Sequence, residues 1–138
     1  MVHKNYDSEL FVQEALVDVS FIPDEQQDFS EVLTIWSGYF NFIMSLIPLN
    51  DEGMWEGLTL HYHVDMPWRE KLDEPWEIDN LELTLKQLQY AQKQIRDMEQ
   101  TSSSGWDIPL VSDICADICE IIKKAANGQG KAFITYYY

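Results

Sequence analysis

Phe29-Ser-Glu-Val-Leu-Thr-Ile-Trp-Ser-Gly-Tyr-Phe-Asn-Phe-Ile-Met-Ser-Leu-Ile47 overlaps the longest uncharged run of the chain, Val32–Asn50. Phe29, Val32, Leu33, Trp36, Tyr39, Phe40, Ile43, Leu46 and Ile47 recur at intervals of three and four, which is the spacing of one helical face. Ser30, Thr34, Ser37, Gly38, Asn41 and Ser45 form the other face, small and uncharged, and Ile35 and Phe42 fall between. The spacing predicts a central helix over Phe29–Ile47. Asp24 or Asp28 is placed to cap its start, and Pro48 stops it. Its hydroxyl and amide side chains and its two-sidedness speak against a membrane span.

On either side, the pattern alternates between strand and helix. Ala15, Val17, Val19 and Phe21 alternate with Leu16, Asp18 and Ser20, which predicts a strand over the second half of Leu10–Ile22, ended by Pro23-Asp24; Leu10–Glu14 is compatible with a helix. In Gly57–Asp65, Leu58, Leu60, Tyr62 and Val64 alternate with Thr59, His61, His63 and Asp65, again a strand. A helix from Asp51 through Tyr62, using Met54, Trp55, Leu58 and Tyr62, is the alternative. Met66–Asp79 is irregular, punctuated by Pro67, Trp68, Pro75 and Trp76.

Asp79 or Asn80 caps a helix reaching about Glu99, with Leu81, Leu85, Leu88, Ala91, Ile95 and Met98 as its stripe. Thr101–Gly105 reads as a loop. A last helix spans about Pro109–Ala126, with Val111, Ile114, Cys115, Ile118, Ile121, Ile122 and Ala125 inward. Lys123 and Lys124 suit its C-terminal dipole, and Asn127-Gly128 ends it. Lys131–Tyr138, rich in aromatic and β-branched residues, reads as a strand. The expected architecture is α+β: one helix-rich globular domain over residues 1–138, with about three helices and a small sheet in the order β-α-β-α-α-β.

The 138 residues carry 24 acids against nine cations, a net charge of −15, distributed unevenly. Met1–Trp68 has Lys4 alone against twelve acids; Arg69–Tyr138 has eight cations against twelve. Such a field repels nucleic acid and anionic membranes and attracts cationic surfaces. A hydrophobic content of 46% is too high for a disordered acidic tail. Met1–Tyr6 is polar, and Asp7, Glu9 and Glu14 break up the stretch after it, so no secretory signal is expected. Cys115 and Cys119, four apart on a helix, are poorly placed for a mutual disulfide and suit a reducing cytoplasm as core residues.

His61-x-His63-x-Asp65 is the sharpest chemical pattern. On a strand these three side chains share a face, and two imidazoles with a carboxylate are plausible metal ligands. The segment partly resembles the His-x-His-x-Asp-His run of metallo-β-lactamase-type hydrolases, which implies a metal-dependent hydrolase using His61, His63 and Asp65. Met66 stands where that family has its next His, and His3 is the one remaining histidine. The wet face of a half-buried strand explains the pattern more simply, so no metal and no cofactor is expected. There is no nucleophile elbow and no phosphate-binding glycine loop, and an enzyme is not expected.

Acids and tryptophans are interleaved in two groups: Asp51, Glu52, Trp55 and Glu56, then Asp65, Trp68, Asp73, Glu74, Trp76, Glu77 and Asp79. Tryptophan anchors and steering carboxylates together suit a protein-binding surface. In size, charge and aromatic content the whole chain resembles the immunity proteins of bacterial toxin systems, contact-dependent inhibition included. That resemblance implies a cytoplasmic inhibitor of a basic partner, often a cationic nuclease toxin domain, with no nucleic-acid or membrane partner. The other alternative is an assembly subunit that pairs Phe133–Tyr138 edge to edge with another chain.

Overall fold

The computed structural model describes residues 1–6, 15–68, 73–99 and 105–137. Five strands and four helices follow one another as β1 (Val2–Tyr6), β2 (Leu16–Pro23), β3 (Glu31–Trp36), α1 (Ser37–Ser45), α2 (Gly57–Leu60), β4 (Trp76–Glu77), α3 (Leu81–Glu99), α4 (Ile108–Ala126) and β5 (Gly130–Tyr137). The strands form one mixed sheet in the order β1-β3-β2-β5-β4. β1 runs parallel to β3, and every other pairing is antiparallel. The expected α+β class holds, but the expected order β-α-β-α-α-β with about three helices is corrected to β-β-β-α-α-β-α-α-β among the described residues. The expected strands at β2 and β5 and the helices α3 and α4 lie where the periodicity put them. The Leu10–Glu14 and Thr101–Ser104 readings fall outside the described residues.

The predicted Phe29–Ile47 helix is corrected: its first third is an inner strand. Val32, Leu33, Thr34 and Ile35 are buried in succession, so no single helical face is defined there. Side chains on both surfaces of β3 are buried and both edges are paired, which is the setting for a continuous apolar run. Three of those four residues are β-branched, which favours the pleated backbone. The helix begins only at Ser37, its N-cap Trp36 lacks a side-chain cap bond, and Asp24 and Asp28 lie in the exposed β2–β3 connection.

Register explains the sheet's two faces. Val17 pairs with Ile35 and Tyr136, and Val19 pairs with Leu33 and Ile134, so all six point to the helical side. α4 lies against β2, β3 and β5, and α3 packs along α4. Cys115 and Cys119 are unbridged and buried on the inner face of α4. The other sheet face is polar at its centre. The Thr34 hydroxyl donates to Asp18 at 2.7 Å, so the His3 Nε2–H, 2.8 Å away, donates to Thr34.

The edge strand β1 is fastened to α4 through Asp117. That carboxylate accepts from Lys4 at 3.2 Å and from the Tyr6 hydroxyl. Burial, then the Asp117 hydrogen bond and charge, push the Tyr6 phenol up to about 12. Among the described residues no helix is long and apolar enough to cross a membrane.

Ile35 separates the two readings of this segment. It is fully buried in β3, so Ile35→Ala is expected to cost ~2–5 kcal/mol in urea denaturation. A helix over Phe29–Ile47 would leave Ile35 between two faces and lower the cost to about 1 kcal/mol.

Candidate functional site

Gly57–Trp68 is helical throughout, which corrects the predicted Gly57–Asp65 strand and supports the helical alternative over Gly57–Tyr62. Leu58, Tyr62 and Met66 are buried at four-residue intervals, whereas Leu60 and Val64 of the supposed apolar strand face are 39% and 40% exposed. α2 widens into a π-helical turn over His61–Asp65, where the Met66 N–H donates to the His61 carbonyl. It then tightens into a 3₁₀ turn over Met66–Trp68. A widened turn re-aims side chains and recurs at functional sites.

Gln87 of α3 sets the position of α2. Its Oε1 accepts the Leu58 N–H at 2.9 Å, one of the donors that the first turn of a helix leaves unpaired. Its Nε2 donates to the Glu56 carbonyl at 2.9 Å and to the Thr59 hydroxyl at 3.2 Å. Gly57 has a φ of 55°, and a Cβ there would lie 2.7 Å from Gln87 Oε1. The close approach and the left-handed backbone therefore both require glycine.

The helical geometry separates the two histidines. His61 meets Trp76 edge-on at 4.0 Å and stacks on Tyr136 at 5.6 Å. His63 points elsewhere, stacked on Trp55 at 4.3 Å with Tyr62 edge-on at 5.1 Å. The expected convergence of His61, His63 and Asp65 required a strand and is not found. Among the described residues no three His, Cys, Asp or Glu side chains are grouped to hold a metal ion.

Instead, His61 and Asp65, one turn apart, line a cleft that runs between this helical segment and the β4 edge of the sheet. A compartment of about 520 Å³ is bounded by His61, Asp65, Trp76, Glu77, Asp79 and Asn80, with Ile134 of β5 also lining it. A second compartment of about 730 Å³ shares Asp65, Trp76 and Glu77 and adds Val64, Trp68 and Pro75. β4 is held to β5 by the pairs Trp76–Ile134 and Glu77–Phe133, and the Ile78 N–H donates to the Ala132 carbonyl at 2.9 Å. This pairing anchors one wall; the Gln87 bonds anchor the other.

Of the eleven residues expected to bind a partner, Asp65, Trp68, Trp76, Glu77 and Asp79 meet at this cleft. Asp51 and Glu52 are exposed in a turn fixed by Asn50, whose Oδ1 accepts the Glu52 and Met54 N–H groups at 3.0 Å. Glu56 accepts from the Asn50 side-chain amide at 3.3 Å, and Trp55 packs on His63. Asp73 and Glu74 are exposed and line neither compartment. The sequence reading missed Gln87, Gly57, Thr84 and Asn80 as parts of the site. Glu56-Gly57 followed by Leu58 and Tyr62 was the signal for the α2 start. Of the acids bordering the cleft, Glu77 has a cation near it, Lys131 at 3.6 Å, and both of those side chains are largely exposed.

No family model, no curated protein and no solved structure matches this chain.

Gln87→Leu removes an acceptor and a donor from buried partners. It is expected to cost ~1–3 kcal/mol and to speed hydrogen exchange at the Leu58 amide, with exchange in α4 following only the global change. Burial lowers the pKa of His63 below its ordinary value. A histidine depressed in the fold contributes stability above its unfolded pKa, about 6.5, and loses it as pH falls through the folded value. The urea midpoint should therefore drop between pH 7 and pH 5 more in the parent chain than in His63→Phe, which keeps a ring on Trp55 and cannot titrate.

Proposed function

We propose that this chain is a protein-binding inhibitor that captures a basic protein domain on the face carrying the cleft. The observation that carries this reading is the meeting of Asp65, Glu77 and Asp79 with Trp76 and Trp68 at a single depression. Trp68 is 86% exposed, which folding alone leaves unexplained for the largest aromatic side chain. Aromatic anchors with surrounding charge are the composition of interface centres.

A net charge of −15 favours a cationic partner and disfavours nucleic acid. Chains of this size and charge act as immunity proteins in bacterial toxin systems, and we assign this one to the same kind of role. It would act in the cytoplasm, covering the substrate-binding cations of a toxin domain, a nuclease above all. Occlusion of those cations is sufficient for inhibition, so no catalytic group or cofactor is required of this chain.

The assembly alternative has less support. β5 is paired by β2 along Leu16–Pro23 on one side, and on the other β4 and Ile78 occupy its edge at Ala132, Phe133 and Ile134, so an added strand could pair only beyond Ile134.

The test uses purified cationic nuclease domains and the intact chain. At least one domain should be bound and inhibited, with association slowing by about tenfold or more between low and high salt. Glu77→Lys with Asp79→Lys should weaken that complex by about a hundredfold. A complex that ignores both salt and the charge reversal would overturn this function.

A further inference from the structure

α2 and the two turns that continue it are apolar on two opposite sides. Leu58, Tyr62 and Met66 form the buried side. Leu60, Val64 and Trp68 repeat the same four-residue spacing two positions later, about half a turn round the axis. That second row faces outward, and its members are 39%, 40% and 86% exposed. A helix that is apolar all round is normally covered on every side, and here one side is bare. Exposed apolar side chains scattered singly are ordinary. Three in one row, ending in the most exposed of the five tryptophans, are not.

Side chains four apart on a helix make a ridge, and such ridges interdigitate with those of a second helix. From Leu60 to Trp68 the ridge is about 12 Å long at helical rise, enough to face two turns of another helix. A depression runs beside it, bounded by Val64 and Trp68 on the ridge and by Pro75 and Trp76 across from them. A ridge with a groove alongside gives a facing helix both a knob to straddle and a slot for its own side chains.

The charge around the ridge selects among occupants. Asp65 lies next to Val64 and lines both compartments of the cleft, and Asp79 lines the one that Leu60 lines. None of the described residues in either lining is Lys or Arg. A second copy of this chain would bring another net charge of −15, and a two-fold pairing would set the same acids against themselves. An anionic lipid surface is repelled in the same way. An apolar strip flanked by cations satisfies the ridge and the carboxylates together.

We propose that the ridge of Leu60, Val64 and Trp68 is the docking face for an amphipathic helix of the partner, whose apolar strip covers the ridge and whose flanking Lys and Arg side chains face Asp65 and Asp79. This inference rests on the protein-binding reading above and adds the kind of element that is bound. Trp68 is the anchor, because a largely exposed indole has the most apolar area to lose on being covered.

The probe is the helical peptide acetyl-(Leu-Lys-Lys-Leu-Leu-Lys-Leu)₂-amide, added to the ¹⁵N-labelled full chain, with affinity read from the anisotropy of a fluorescein-labelled copy. Saturable binding at about 100 μM or tighter is expected, with the amide shifts centred on Leu60–Trp68. The same peptide with Ser for Leu keeps the charge and loses the strip, and should bind at least about tenfold more weakly. The peptide with Glu for Lys keeps the strip and should not bind. Val64→Ser with Trp68→Ser, two outward changes that leave the buried row intact, should weaken the first peptide by about tenfold or more. Val2→Ser removes a comparably exposed apolar side chain at the opposite edge of the sheet and should change nothing.

Equal binding of the Leu and Ser peptides overturns the proposal, since charge alone would then suffice. So do shifts centred away from Leu60–Trp68, and so does an affinity that survives the double serine variant. Sedimentation that shows the parent chain as a dimer and the double variant as a monomer would assign the ridge to a second copy and overturn it as well. The inhibitor reading is judged separately. A cationic nuclease domain that binds the double serine variant as tightly as the parent sinks the helix docking alone. A peptide that docks on the ridge while no cationic domain binds leaves the docking face standing and sinks the inhibitor role.

Discussion

A buried side-chain amide on one helix completes the start of another, and the cleft takes its shape from that junction. α2 opens without a side-chain cap of its own, and a helix start that lacks partners for its N–H groups is costly when buried. Gln87 supplies the acceptor, and its amide hydrogens take up the Glu56 carbonyl and the Thr59 hydroxyl. All three partners lie at the root of the segment that presents His61 and Asp65. Gly57 permits the approach, since a Cβ there would collide with the Gln87 oxygen and with Leu83. One glycine and one glutamine therefore decide where one wall of the cleft stands. The opposite wall is fixed independently, by the pairing of Trp76 and Glu77 with β5.

The folded chain turns the uneven charge of the sequence into an uneven surface. Lys4 pairs with Asp117, Lys124 with Glu31 and Lys123 with Glu120, all on β1, β3 and α4. Those pairs consume cations away from the residues that line the cleft. Exposed pairs of this kind contribute little stability, so their main effect is on where uncompensated charge is left. Among the described residues, Asp65 and Asp79, beside two tryptophans, have no ion-pair partner.

The sequence was legible where one periodicity stood alone. α3 and α4 each have a single apolar face over nineteen residues, and β2 and β5 alternate with one side toward the helices. It was misread where two periodicities coincide. Val32, Leu33, Trp36 and Phe40 fit a helix, yet Val32–Ile35 are buried on both faces of an inner strand, and burial on both faces erases alternation. His61-x-His63-x-Asp65 failed for the converse reason: Leu58–Asp65 alternates by chance, while Leu58, Tyr62 and Met66 carry the true helical register. β1 and β4 were out of reach because neither is stable alone. Val2–Tyr6 is mostly exposed and pairs in parallel with a strand some thirty residues away, and β4 is two residues long.

The acids and tryptophans of the cleft divide the work of recognition between them. On the proposed reading, the carboxylates act first and at a distance, because an unscreened field accelerates encounter and orients the partner. They hold little by themselves, since exposed charges exchange water for protein at small net gain. Trp76 acts only on contact, and being braced by His61 and tied to β5 it loses little freedom when covered. Charge therefore governs how fast the partner arrives, and the anchored indole governs how long it stays. Such a division also explains why the two kinds of residue share one depression: a cation steered elsewhere would not reach this indole.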